Sequence, residues 1–318
     1  MNYDIFNGDA DGIISLLQLR MSNPVQSTLI TGVKRDIKLL DKVKFCCGDE
    51  LTVLDISMEK NIDALNLALD AGASVLYIDH HRSGICPKKS NLDAHIDLDA
   101  NTCTALIVDQ MLERKYHFWA IAAAYGDNLI DVADRLSKDS GLSVELSASL
   151  NELGTLINYN GYGSEVTDLH YHPADLYRAL SKYETPFEVI ADLSSPFYVL
   201  QEAYSKDIAL ARSISSMYQS DKLLIVELPD EAWARRISGV YGNALANEKP
   251  NVAHVILTKN SDGQSFTVSV RAPLANKHGA GDICSQFETG GGRAAAAGIN
   301  ALPIEQVQKL IQLIEATY

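Results

Sequence analysis

The sequence predicts an α/β protein: a parallel-sheet amino-terminal domain, a helical linker and a smaller α/β carboxy-terminal domain, with the site in the cleft between the two domains. Three observations carry this. About the first 130 residues alternate short apolar β-like runs with helical ones, the middle of the chain turns helical, and strand patterns return near Leu223. The length agrees, since 318 residues divide into two domains at a prior of ~150 residues each.

Taken in order, Tyr3–Phe6, Ser27–Thr31, Leu51–Leu54 and Val75–Ile78 read as buried strands. Between them Ile13–Arg20, Lys34–Lys42 and Glu59–Ala71 show helical spacing of apolar residues. Such alternation implies a parallel sheet covered on both faces. Helices follow at Thr104–Lys115, Phe118–Tyr125, Val144–Asn158 and Ala174–Tyr183. Pro196–Tyr218 reads as one long, partly polar helix, so the domains run over 1–192 and 221–318 with 193–220 between them. In the last part, strands are expected at Leu223–Leu228, His254–Thr258 and Phe266–Arg271, and helices at Glu231–Asn247, Asp282–Glu288 and Glu305–Ala316.

Hydrophobic residues at 47% and charged residues at 21% match an ordinary globular chain rather than a disordered one. With 41 acidic and 27 basic side chains, the net charge is −14. A surface this acidic repels long polyanions, which argues against a protein that coats DNA or long RNA. It leaves room for a local basic pocket, or metal ions, that handles something small and anionic. No apolar run approaches the ~18 residues of a membrane helix, and the first residues carry acids where a secretory leader has a basic flank. Five scattered cysteines without a CxxC pair fit a reduced, cytoplasmic chain.

Four apolar segments end in an aspartate. The first runs into Asn7-Gly8-Asp9-Ala10-Asp11-Gly12, the second ends at Asp55, the third at Asp79-His80-His81, and the helical fourth at Asp127. Ligands of open parallel sheets bind just beyond the carboxyl ends of the strands, so these acids are expected to converge on one crevice. Taken singly, Asp-x-Asp-Gly also reads as a turn and helix start, and Asp55 reads equally as the cap of the next helix. Jointly they form a cluster of carboxylates without basic neighbours, which calls for cations. Oxygen ligands with one or two imidazoles suit Mn²⁺ or Mg²⁺. Two such ions about 3.5–4 Å apart can clamp a phosphoryl group and activate a water.

Asp9-Ala10-Asp11-Gly12, Asp55 in Leu-Asp-Ile-Ser, Asp79-His80-His81 and Asp127 in Tyr-Gly-Asp-Asn resemble the four motifs of the DHH phosphoesterase family. That family includes RecJ-type exonucleases, oligoribonucleases of the nano-RNase type, cyclic-dinucleotide phosphodiesterases and family II inorganic pyrophosphatases. The resemblance implies two Mn²⁺ ions, with Mg²⁺ as the alternative. Asp9 and Asp55 would hold the first, and Asp11, Asp55, His80 and Asp127 the second. His81 would face the substrate phosphate, and Asp79 would orient an imidazole. The pattern departs at Asn7, where the family has a histidine. An amide is a weaker donor than imidazole, so the first ion is expected to bind loosely.

Near the carboxy end, Gly290-Gly291-Gly292-Arg293 would let backbone approach an anion, with a following helix start pointing its N–H groups at it. A tight turn packed on alanines is the plainer reading of the same glycines. The run resembles the Gly-Gly-Gly-His signature of the DHH-associated carboxy-terminal domain, with Arg293 in place of the histidine. Upstream, Ser269-Val270-Arg271 resembles the strand of that domain that carries a substrate-binding arginine. Arg293 would keep an anion-binding group but lose titration near neutral pH. His170, His172, Arg82, Lys277 and His278 are weaker candidates, and Arg235-Arg236 reads as a solvated helix face.

The resemblance thus implies a metal-dependent phosphoesterase in which Asp55, His80, His81 and Asp127 carry catalysis, while Arg271, Arg293 and the glycines hold the far end of the substrate. Short oligoribonucleotides or linear dinucleotides, cleaved to nucleoside monophosphates, are the expected substrates. 3′-phosphorylated adenosine nucleotides come second. A protein that binds nucleotide without cleaving it is the alternative, because of Asn7. No long nucleic acid or membrane is expected as partner, and a homodimer is compatible with the sequence.

Overall fold

In the computed structural model, which describes all of residues 1–318, the four strands expected at the amino end join a fifth in one sheet. β1 (Asn2–Phe6), β2 (Thr28–Ile30), β3 (Glu50–Leu54), β4 (Ser74–Asp79) and β5 (Leu92–Ile96) pair in the order β2-β1-β3-β4-β5. Every neighbouring pair is parallel. The connections carry α1 (Ala10–Ser22) and α2 (Ile62–Asp70), and Leu51, Val53, Val75 and Tyr77 are buried against Leu65 and Leu69 of α2. β5 is not among the expected strands: its Leu-Asp-Ala-His-Ile alternates and stays half-exposed at the sheet edge, so it lacks the continuous apolar run of a covered strand.

Lys34–Lys42 is not a helix. It is a turn followed by one 3₁₀ turn at Leu39–Lys42. Leu39 and Leu40 both reach the core, and Asn61 pins the segment by donating to the Ile37 carbonyl at 2.7 Å and accepting from the Leu40 amide at 3.4 Å. Tertiary side-chain bonds override the apolar spacing here.

The helical middle comprises α3 (Thr104–Met111), α4 (His117–Gly126), α5 (Ile130–Asp139), α6 (Val144–Gly161), α7 (Pro173–Leu180) and α8 (Pro186–Ala191). α4 is apolar all round and buried over Trp119–Gly126, whereas α5 is amphipathic. α8 starts with a capping box between Thr185 and Glu188.

The chain divides into two units, Met1–Glu202 and Ala203–Tyr318, and α9 (Pro196–Ser213) crosses the divide. It ends before Tyr218, which instead begins a strand. The second unit holds β6 (Tyr218–Gln219), β7 (Leu223–Leu228), α10 (Ala232–Glu248), β8 (Ala253–Lys259), β9 (Ser265–Arg271), α11 (Ala280–Cys284), β10 (Gly290–Gly292), β11 (Ala296–Pro303) and α12 (Val307–Thr317). Its sheet runs β10-β11-β9-β8-β7-β6 and is mixed, with β7 and β8 parallel. Val255, Leu257, Val268 and Val270 pack with Ile283 of α11 and Leu310 and Ile314 of α12.

The helix expected at Asp282–Glu288 is one short turn, Ala280–Cys284, and the glycines lead into β11 rather than into a helix start. Gly290–Gly292 is an edge strand antiparallel to β11. The glycines are demanded by packing. A side chain at Gly290 would meet the Cys284 carbonyl at 1.8 Å, and one at Gly292, where φ is +142°, would meet the Ala297 backbone at 2.5 Å. Gly291 faces open space.

Candidate metal centre

In the order β2-β1-β3-β4-β5 the strand order reverses at β1 and β3, where β2 is added on one side and β3 on the other, and ligands of such sheets bind outside the carboxyl ends of the strands at that switch point. Asp9 and Asp11 follow β1 and Asp55 follows β3, so the first two motifs flank the crevice the topology creates. Gly8 is needed because a side chain there would meet the Gly32 carbonyl at 1.9 Å. Asp9 caps α1 by accepting from the Gly12 amide at 3.1 Å. Asp11 accepts from the amides of Thr104 (2.8 Å) and Ala105 (2.7 Å), which ties it to the start of α3.

Asp55 is buried and has a φ of +58°, a left-handed conformation that costs a non-glycine residue about 1–3 kcal/mol. Its carboxylate accepts from Thr104 Oγ1 at 3.2 Å. It does not cap the following helical turn, whose cap position is Met58. The backbone turn instead aims Asp55 at the histidines. His80 Nε2 lies 3.5 Å from Asp55 Oδ1 and 3.7 Å from Asp11 Oδ2, and His81 Nδ1 lies 3.7 Å from Asp55 Oδ1. One ligand atom each from Asp55, His80 and His81 falls within 4.8 Å of the others.

The imidazoles are held differently. His80 turns Nδ1 to the Thr102 carbonyl at 2.9 Å, leaving Nε2 toward the acids. His81 turns Nδ1 to Asp79 Oδ1 at 2.7 Å and keeps 32% of its side chain exposed. Asp79 therefore orients His81 rather than His80, and its Oδ2 is buried without a partner. Burial first, then the charges of Asp11, Asp9, Asp79 and Asp127, push the Asp55 carboxyl well above the usual range. Such mutual repulsion is what a bound cation relieves. The donor set Asp55, His80 and Asp11, oxygen with imidazole, fits Mn²⁺ or Mg²⁺.

The expected first position is different. Asp9 meets the ammonium of Lys34, a residue that the apolar spacing places in a helix. Lys34 Nζ also lies 3.2 Å from Asn158 Oδ1, 4.0 Å from Asp127 Oδ1 and 5.4 Å from the centre of the Tyr162 ring. Burial and Asp127 would raise the Asp9 carboxyl, but Lys34 holds it below its ordinary value. Burial opposes the Lys34 charge, yet Asp9, Tyr162 and Asp127 raise its basicity above that of a free lysine. Asn7 Nδ2 donates to the Lys34 carbonyl at 3.2 Å, and Asn7 Oδ1 is buried without a partner. The residues present fit one ion at Asp55 and His80 but not a second at Asp9.

In the second unit, Arg271 is buried on β9. It donates to Asn243, to Ser269 Oγ at 2.9 Å, to the Val270 carbonyl at 3.1 Å and to the Gly239 carbonyl at 3.2 Å. These bonds tie β9 to α10. Arg293 is half-buried in the β10–β11 turn, its amide bonded to the Ala296 carbonyl at 2.9 Å. Of the weaker candidates, His170 meets the Tyr159 hydroxyl at 3.0 Å and His172 caps α7. Arg82 and Lys277 are exposed, and the His278 carbonyl accepts from the Tyr318 hydroxyl at 2.7 Å. Arg236 is not on a solvated face: 12% exposed, it pairs with Asp207 at 2.9 Å.

A parallel-sheet unit with acids and paired histidines at its strand ends, followed by a mixed-sheet unit, defines a two-part α/β class. Residues 220–318, most of the second unit, match the model of the DHHA1 domain family. No curated protein matches the chain in sequence. Among solved structures, the DHH domain of a protein described as a member of a family of ribosomal proteins aligns at a TM-score of 0.62 with 13% identity, covering 99% of this chain and 86% of the other. A pGpG-specific phosphodiesterase, PggH from Vibrio cholerae, aligns at 0.55 with 16% identity over 100% and 98% of the two chains. Exonuclease RecJ bound to manganese aligns at 0.54 with 15% identity over 99% and 89%. The family match covers most of the second unit, and the solved structures share the fold over nearly the whole chain.

Proposed function

We propose that the chain is a divalent-metal-dependent phosphoesterase that hydrolyses small nucleotide phosphodiesters, short oligoribonucleotides or linear dinucleotides, to nucleoside monophosphates. The observation that carries it is the convergence of Asp55, His80 and His81 within 4.8 Å, with Asp55 held in a left-handed turn. Two structures of the same fold are described as a pGpG phosphodiesterase and a manganese-bound exonuclease, which supports the reaction class and Mn²⁺, with Mg²⁺ as the alternative. Asp11, Asp55, His80 and Asp127 would hold the ion, which would supply an activated water nucleophile and neutralise charge at the phosphoryl group. His81, part-exposed and fixed through Nδ1 by Asp79, would turn Nε2 toward the substrate phosphate. Arg293 and the open edge at Gly291 would be the anion-facing groups of the second unit, because Arg271 is engaged in packing.

In this reading the partner is a small nucleotide rather than a long nucleic acid or a membrane. No helix is long and apolar enough to cross a bilayer. A cytoplasmic setting and a homodimer belong to the same proposal. One observation favours a second reading, a nucleotide-binding protein without turnover: Asn7 and Lys34 stand where the first ion would be held.

A panel of linear dinucleotides, two- to five-residue oligoribonucleotides and 3′-phosphorylated adenosine nucleotides, each with Mn²⁺ or Mg²⁺, separates them. Release of monophosphates by the wild type but not by His80→Ala supports the enzyme. Saturable binding without product overturns it in favour of the second reading.

A further inference from the structure

We propose that the ammonium of Lys34 supplies the positive charge that the first ion of a two-ion centre would bring, so that the centre takes one divalent ion per chain. The inference deepens the phosphoesterase reading and rests on it for the identity of the site. Lys34 is not a passing surface contact. Its backbone amide donates to the Gly161 carbonyl at 2.7 Å, and its own carbonyl accepts from Asn7 at 3.2 Å. Its side chain, 23% exposed, ends against Asp9, with Asn158 Oδ1 at 3.2 Å, Asp127 Oδ1 at 4.0 Å and the Tyr162 face beneath it.

These contacts join the two departures from the expected ligand set. Asn7 takes the place of a histidine, and its amide nitrogen holds the segment that delivers Lys34. An imidazole at this position would offer a lone pair to an ion. The asparagine offers a donor to Lys34 instead. Once Asp9 is paired, the first position keeps only Asn7 Oδ1 and an oxygen shared with Asp55, a poor start on the octahedral oxygen shell that Mn²⁺ or Mg²⁺ prefers. A divalent ion on Asp9 would also have to displace an ammonium held by two carboxylates and an amide. An ammonium neutralises and orients through three N–H donors but does not ligate water. Nucleophile activation therefore belongs to the position built by Asp55 and His80.

Manganese titration of the full chain, by calorimetry and by electron paramagnetic resonance, tests this. One Mn²⁺ per chain with the spectrum of an isolated ion is expected. Asn7→His with Lys34→Met should raise the stoichiometry to two and give an exchange-coupled spectrum. Two coupled ions in the wild type overturn the proposal, as does a folded double variant that still takes one. The wild-type stoichiometry decides the matter if that variant does not fold. One ion with no hydrolysis across the nucleotide panel leaves this proposal standing and removes the phosphoesterase reading. No bound ion removes both.

Discussion

His81 and Asp79 form a 2.7 Å hydrogen bond at the end of β4, while His80 beside them turns the same ring nitrogen to the Thr102 carbonyl. Adjacent imidazoles thus have separate supports and, on the proposed reading, separate tasks. Asp79→Asn weakens the support of His81 alone. Loss of an outer hydrogen-bond partner of this kind costs about 10–100-fold, so turnover should fall by that factor while Mn²⁺ stoichiometry stays at the wild-type value. His80→Ala should abolish ion binding outright. Steady-state kinetics beside metal titration checks both, and equal loss of metal in the two variants would show that His81 is a ligand.

The glycine hairpin separates packing from ligand contact. Gly290→Ala forces a methyl group into the Cys284 carbonyl and should destabilise the second unit by about 1–3 kcal/mol, the range for overpacking. Gly291→Ala meets nothing within 4 Å and should stay within about 0.5 kcal/mol of wild type. Denaturant unfolding of each variant measures this, and equal destabilisation would contradict the hairpin geometry.

Arg271 is expected to act on stability. Arg271→Ala leaves the Asn243 side chain and the Gly239 carbonyl without their donors. The loss should be about 1–3 kcal/mol from those unmade bonds, visible as a lower melting temperature with substrate absent. A variant as stable as wild type but defective in substrate binding would restore the role expected from sequence.

His254 on β8 is wholly buried. Burial, assisted by Lys249, lowers its pKa to about 4. Because the folded state binds the proton less readily than the unfolded chain, the stability is complete above about pH 6.5 and is lost as pH falls toward about 4. The full span amounts to about 3 kcal/mol. His254→Leu should flatten the slope across that window in chemical denaturation. An unchanged slope would assign the acid sensitivity elsewhere.

Much of the first unit is legible in sequence because its signals are local. Apolar runs that end in Asp9, Asp55 and Asp79 carry both the strand and the acid of the candidate site within a few residues, and a parallel sheet brings strand ends together whatever its side-chain detail. The glycines after β9 are legible as a motif but not as an edge strand, since the backbone contacts that demand them come from Cys284 and Ala297. β5 escapes the pattern because an edge strand needs no continuous apolar run.

By itself, then, the sequence determined the α/β class, the two-part organisation and the acids and histidines at the strand ends. Only the tertiary structure decided which cation those acids meet. Lys34 reaches Asp9 across 25 residues and Asn158 across 124, and no periodicity or spacing encodes such a meeting. The same holds for Arg271, whose contacts with Asn243 and the Gly239 carbonyl are set by the helix α10 that covers it. A side chain's charge is written locally, but its partner is chosen by packing.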